Sequence, residues 1–121
     1  MLNYLTMSQI SISQEFYESG NDNFAKKRFN AATDSYFKAI VTLCDHIIQA
    51  NQGLTPKNHI ERFDLMKVNY PREFIIVSGL FSRYRQTYNQ KADENDAKIT
   101  KEKFKELVQQ FRIDKDFKDI L

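Results

Sequence analysis

A chain of 121 residues, 41% hydrophobic with 10 Phe and 6 Tyr but no Trp, is long enough to bury one core and short for two domains. Three Gly and two Pro are too few for a β-sandwich or barrel, and a formal net charge of +2 implies no partner by itself. The single cysteine, Cys44, excludes an internal disulfide framework and suits a reducing cytoplasm. No signal peptide is expected, because the N-terminus lacks a basic stretch followed by a long apolar one, and no membrane span, because no apolar run approaches about 18 residues.

The expected fold is all-α: one domain over residues 1–121, an antiparallel up-and-down bundle of four to five helices. The first helix is expected over about Ser8 to Ser19, with Ile10, Ile12, Phe16 and Tyr17 inward, and Gly20 and Asn21 ending it. The second carries the strongest periodicity, over about Asp22 to Ala50. Phe24, Arg28, Ala31, Ala32, Ser35, Ala39, Thr42, Leu43 and His46 recur at three and four, beside a heptad seam of Phe29, Tyr36, Leu43 and Ala50. So wide an apolar surface marks a central helix. Ala25, Ala32 and Ala39, seven apart, form a small-residue stripe where another helix can come close.

Gly53 suits a helix C-cap, Thr55 an N-cap and Pro56 a first helical position, so a short helix is expected from Pro56 to Lys67 with Ile60, Phe63 and Met66 inward. Pro71 opens another long helix to about Ala92, on which Phe74, Val77, Phe81, Tyr84 and Tyr88 make an aromatic seam. The polar stretch Asp93 to Lys98 reads as a loop. Thr100 then caps a helix through Phe111, with Phe104, Leu107, Val108 and Phe111 inward. The tail is expected to add one turn through Phe117 and Leu121.

Motifs that carry chemistry are scarce. There is no Gly-rich phosphate loop, nucleophile elbow or Cys-x-x-Cys pair, and His46 and His59 have no ligand-type spacing to other metal-binding residues, so neither a metal nor a cofactor is expected. His46 reads as a partly buried or surface residue, and Cys44, inside an apolar run, as a buried thiol. His59, in the first turn of the short helix, is the better functional candidate. Charge is more informative: residues 67 to 91 carry five basic groups (Lys67, Arg72, Arg83, Arg85, Lys91) against Glu73 alone. Helical spacing stacks Arg85 with Tyr88 and Asn89, a guanidinium beside a phenol and an amide, which suits contact with phosphate or nucleotide. The alternative is a solvated basic face whose arginines lie over the end of the core seam.

The run Asn23-Phe24-Ala25 through Ala32, then Ser35-Tyr36-Phe37-Lys38-Ala39-Ile40 and Leu43, is similar to the long second helix of HEPN domains. Pro56 to Phe63 resembles the connector and short helix of small archaeal and bacterial members. Arg83 to Asn89 falls where the family carries its signature, and the resemblance spans residues 10–112. It implies a helical bundle, often a homodimer, with members that cleave RNA, work in toxin–antitoxin pairs, or bind nucleotides and nucleic acid. Ribonuclease members use an Arg followed four to six residues later by His. Here no His follows Arg83 or Arg85, and Tyr88 stands at the fifth position after Arg83. A phenol, with an ordinary pKa of about 10, is a poor base at neutral pH.

The resemblance therefore points to a non-catalytic module that binds a nucleotide, RNA or a partner protein, with Arg83, Arg85, Tyr88, Asn89 and His59 as ligand-binding residues. Its rivals are a metal-independent endoribonuclease in which Tyr88 or His59 replaces the missing imidazole, and a structural subunit partnering a nucleotidyltransferase-like protein. A cytoplasmic homodimer is the expected state.

Overall fold

The computed structural model describes residues 4–117, with side chains from residue 9 onward. Five helices fill this span: α1 (Tyr4–Ala25), α2 (Phe29–Gln52), α3 (His59–Asn69), α4 (Pro71–Gln86) and α5 (Glu94–Gln110), followed by a single 3-10 turn at Asp114–Asp116. Among the described residues there is no strand and no helix long and apolar enough to cross a membrane. The all-α bundle is thus the architecture.

Helix α2 is its axis. Ala32, Tyr36, Phe37, Ala39, Ile40, Leu43, Cys44 and Ile48 are buried around its circumference, a width that only a helix with neighbours on several sides can satisfy. Helix α1 lies along one side as the other arm of a hairpin and α5 along another, while α3 and α4 cover the remaining surface. Between α1, α2 and α5 the Tyr17 ring stacks on Phe104 at 4.7 Å and tilts against Tyr36 at 5.7 Å. Phe117 closes the layer edge-on to Phe104, and the Gln14 amide donates to the Asp116 carbonyl at 2.8 Å, fixing the final turn to α1. Leu121 lies outside the described residues.

The first two helices divide elsewhere than expected. Helix α1 runs straight through Gly20, and the chain reverses five residues later, so Phe24 and Ala25 belong to α1 and not to α2. A Cβ on Gly20 would stand 2.4 Å from the Tyr36 ring, whose hydroxyl is fixed by donating to Asn21 Oδ1 at 2.6 Å. Glycine here admits a buried ring instead of ending a helix. The reversal is made by Lys27 in the left-handed region (φ 60°), with the Arg28 N–H bonded to the Asn23 carbonyl at 2.9 Å, a Schellman-type closure built without glycine.

Other boundaries shift for equally local reasons. Gly53 caps α2 in the left-handed conformation as expected, but α3 starts at His59 because Asn58, not Thr55, accepts the Glu61 N–H at 2.9 Å. Helix α4 stops at Gln86, six residues early. Helix α5 begins at Glu94, inside the expected loop, because Asp93 and Asp96 form a reciprocal capping box. Ile60, expected inward, is 75% exposed; Arg62 holds the inward position instead. Ile12 also turns outward and Tyr88 lies 69% exposed beyond the end of α4.

Gly20→Ala is expected to destabilise the fold by about 1–3 kcal/mol, as overpacking of a closed core does. Lys27→Gly should instead stabilise it by roughly 1 kcal/mol, by relieving the left-handed strain. Urea unfolding of both variants checks this; a stabilising Gly20→Ala would contradict the packing described.

Candidate nucleic-acid interface

Two adjacent depressions lie on the surface of α4 and its neighbours. The first is an open groove of about 360 Å³ on the outer face of α4, lined by Ser78, Phe81, Ser82, Arg85, Gln86, Asn89 and Gln90. Every polar group here is an amide, a hydroxyl or the Arg85 guanidinium; no carboxylate lines it. The Arg85 guanidinium sits 5.7 Å from the centre of the Phe81 ring, within cation–π range.

The second, of about 410 Å³, opens between α2, α3 and α4 and is reached by Phe16, Lys38, Lys57, His59, Arg62 and Tyr84. Its base is an aromatic wall. Tyr84 stacks on buried Phe37 at 4.6 Å, and Phe81 meets the His59 ring at 4.7 Å, so Phe81 separates the cleft from the groove. Tyr84 and Tyr88 share a 2.6 Å hydroxyl–hydroxyl hydrogen bond. Burial first, and that bond second, raise the Tyr84 phenol above its ordinary value, so it stays protonated.

Behind His59 lies a three-residue chain. Arg62, 7% exposed, donates through Nε to Asp45 Oδ1 at 2.6 Å and through Nη2 to Oδ2 at 3.0 Å, a bidentate pair joining α3 to α2. Its Nη1 lies 2.9 Å from His59 Nδ1. A guanidinium has no lone pair to offer, so Nδ1 must be the acceptor and the neutral ring carries its proton on Nε2. Burial, then the Arg62 charge, lower the His59 pKa, with Asp45 opposing.

Of the residues singled out from sequence, Arg85 and Asn89 share the groove, His59 lines the cleft, and Tyr88 is tied to Tyr84 between them. Arg83 belongs to neither. It is ion-paired with Asp96, on the side where α4 meets α5, and the Asp96 carboxyl is held low first by the Asp93 N–H and then by Arg83. His46 is buried in α2, more deeply than expected. Among the described residues no three His, Cys, Asp or Glu side chains come together as a metal-ligand set.

Three participants carried no signal strong enough to be singled out. Asn30 donates to the carbonyls of Thr87 (2.8 Å) and Gln90 (3.0 Å) and accepts from the Ala92 N–H (2.8 Å), holding the loop that carries Asn89. Its partners are some sixty positions away, beyond any local pattern. Asp45 and Arg62 were legible in principle: Arg62 shares a helical face with Met66 and His59, and an arginine on an inward stripe calls for a buried carboxylate.

Searches against family models, curated proteins and solved structures return no significant match.

Because the folded chain resists protonation of His59, the unfolded chain binds the extra proton as the pH falls below the ordinary value of 6.5. Stability is fully present above that pH and declines on acidification until folded His59 itself titrates. The urea midpoint of the wild type should therefore fall more steeply between about pH 7 and pH 5.5 than that of His59→Gln. Equal slopes would show that His59 is not held neutral.

Proposed function

We propose that the chain is a non-catalytic, HEPN-like helical module that binds single-stranded RNA along the outer groove of α4. One observation carries this reading: the groove offers a guanidinium, three amides and two hydroxyls with no carboxylate among them. Those groups suit phosphate and sugar oxygens, to which most protein contacts with nucleic acid are made. The Arg85 guanidinium, lying over the Phe81 ring, adds a flat cationic surface on which a base can stack. An open depression suits a strand passing over it better than an enclosed small molecule.

Binding without cleavage is supported by what the groove residues can do. Cleavage without a metal requires an acid–base group beside the phosphate, and neither an imidazole nor a carboxylate lines the groove. His59 serves the neighbouring cleft with Nδ1 engaged by Arg62, and Tyr84 is held protonated. In this reading Arg85 and Asn89 contact the strand, while Arg83, paired with Asp96 away from the groove, has a structural task. Exposed Ile60, Val68 and Ile75 on α3 and α4 support a homodimer as part of the same reading.

In fluorescence anisotropy with a labelled single-stranded RNA and metal-stripped protein, Arg85→Ala should weaken binding by about 1–3 kcal/mol. The same substitution should lower the slope of log affinity against log salt by roughly 0.7, the loss of one phosphate contact on a single strand. Unchanged affinity would remove the groove from the account, and strand scission that disappears in His59→Gln would replace a binding module with a ribonuclease. Sedimentation should give a dimer at micromolar concentration; a monomer mass would count against self-association.

A further inference from the structure

We infer that the cleft between α2, α3 and α4 is a second binding site, for a small planar ring that bears an anionic group and turns a hydrogen-bond acceptor toward His59. This goes beyond the groove reading and holds whether or not RNA lies on α4.

The inference rests on how the cleft is built. Its volume of about 410 Å³ falls within the range of small-molecule sites. Half-buried Phe16 and Tyr84 supply ring faces on its walls, and the Tyr84 ring is held in place by stacking on buried Phe37. The Lys38 ammonium lies 6.0 Å from the centre of the Phe16 ring, so the aromatic wall and a positive charge meet in one place.

The polar groups of the cleft are directed to one kind of partner. With Nδ1 engaged by Arg62, the imidazole has only Nε2–H left to offer, a donor. Lys57 adds an ammonium donor and Asn58, whose Oδ1 accepts the Glu61 N–H, an amide donor, while Lys38 and Arg62, already engaged by Asp34 and by Asp45 and His59, leave positive charge at the wall. Of the nearby carboxylates, both Asp45 oxygens are engaged by Arg62, and Asp34 pairs with Lys38 at 3.2 Å. Thr42 directs its hydroxyl proton to the backbone carbonyls of Lys38 and Ala39. A ring with an acceptor on its edge meets the His59 Nε2–H, and a negative group at the mouth meets Lys57. A hydrocarbon ring, or a cation, leaves them unmatched.

The Asp45–Arg62–His59 chain explains why the imidazole presents that donor. A histidine serving only as packing needs no fixed tautomer. Here a guanidinium that is more than nine-tenths buried holds the ring in one orientation and one protonation state. His59 is then the specificity-determining residue, and Arg62 and Asp45 are positioning residues that act through it.

Two sources share the required chemistry, a nucleoside monophosphate and an aromatic carboxylate, and the test separates them. Full-length protein with ¹⁵N-labelled histidine is titrated with adenosine 5′-monophosphate, nicotinate, adenosine and inorganic phosphate while the His59 imidazole signals are followed. Saturable shifts are expected with the monophosphate or with nicotinate, at least about tenfold tighter than with adenosine or phosphate alone. Lys57→Ala should weaken the response roughly fivefold; in His59→Phe, which lacks the reporter ring, binding is read by isothermal titration calorimetry and the gain over phosphate should be abolished. Lys57 precedes α3 and is exposed, His59 is its half-buried first residue, and a melting curve of each variant verifies that the fold is retained.

Arg85→Ala should leave these titrations unchanged, which separates the cleft from the groove. A response to the monophosphate alone identifies a nucleotide site, and a response to nicotinate alone identifies a carboxylate site. His59 signals that stay fixed with both probes up to millimolar concentration would overturn the inference. So would a response to phosphate equal to that of the monophosphate.

Discussion

Helix α3 buries Arg62 and Met66 and packs Phe63 and Leu65 against the core, and within that contact one guanidinium ties the helix to its partner on α2. A charged group in such a place is tolerable because each of its three nitrogens is engaged, two by Asp45 and one by His59. Taking away the guanidinium alone would strand the Asp45 carboxylate under α3, a cost of about 3–5 kcal/mol. The same contact sets the rotation of α3: with Arg62 inward, Ile60 faces solvent and His59 turns toward Phe37 and Phe81. The cleft, the neutral imidazole and the wall shared with the α4 groove all follow from that rotation.

The architecture was readable from sequence because α2 is wrapped on several sides, and a helix so placed writes its periodicity over its whole length. Leu43, Ala39, Tyr36 and Ala32 were expected inward and are buried. Boundaries were harder to read, since they turn on small, non-local facts. Gly20 has the composition of a stop signal and serves as clearance for the Tyr36 ring, while the actual stop at Lys27 has no glycine to announce it. The Asp93–Asp96 box looks like a polar loop until both carboxylates are seen to bond the opposite backbone N–H.

The site was legible in part. Arg85 and Asn89 meet because they are four apart on a turn continuing α4, a relation any helix imposes. Arg83 was drawn into the same cluster by proximity along the chain, yet two residues of helix rotate a side chain far round the axis, and Asp96 claims it on the other side. His59 was singled out without its mechanism, because the tautomer depends on Arg62, and Arg62 depends on Asp45 seventeen positions earlier on another helix. Asn30, which holds the Thr87–Ala92 loop in place, was invisible for the same reason. Local spacing can propose a cluster; only the packing of α2, α3 and α4 decides which members face one space.

The protonation state of His59 follows directly from the Arg62 contact. A long-range ¹H–¹⁵N correlation spectrum of the labelled imidazole, recorded from about pH 7.5 down to pH 5.5, reads which nitrogen carries the proton. The account predicts a neutral ring with its proton on Nε2, persisting below the ordinary value of 6.5. A ring protonated on both nitrogens near neutrality, or one carrying its proton on Nδ1, would mean that Arg62 does not donate to His59, and the account of the cleft would fail.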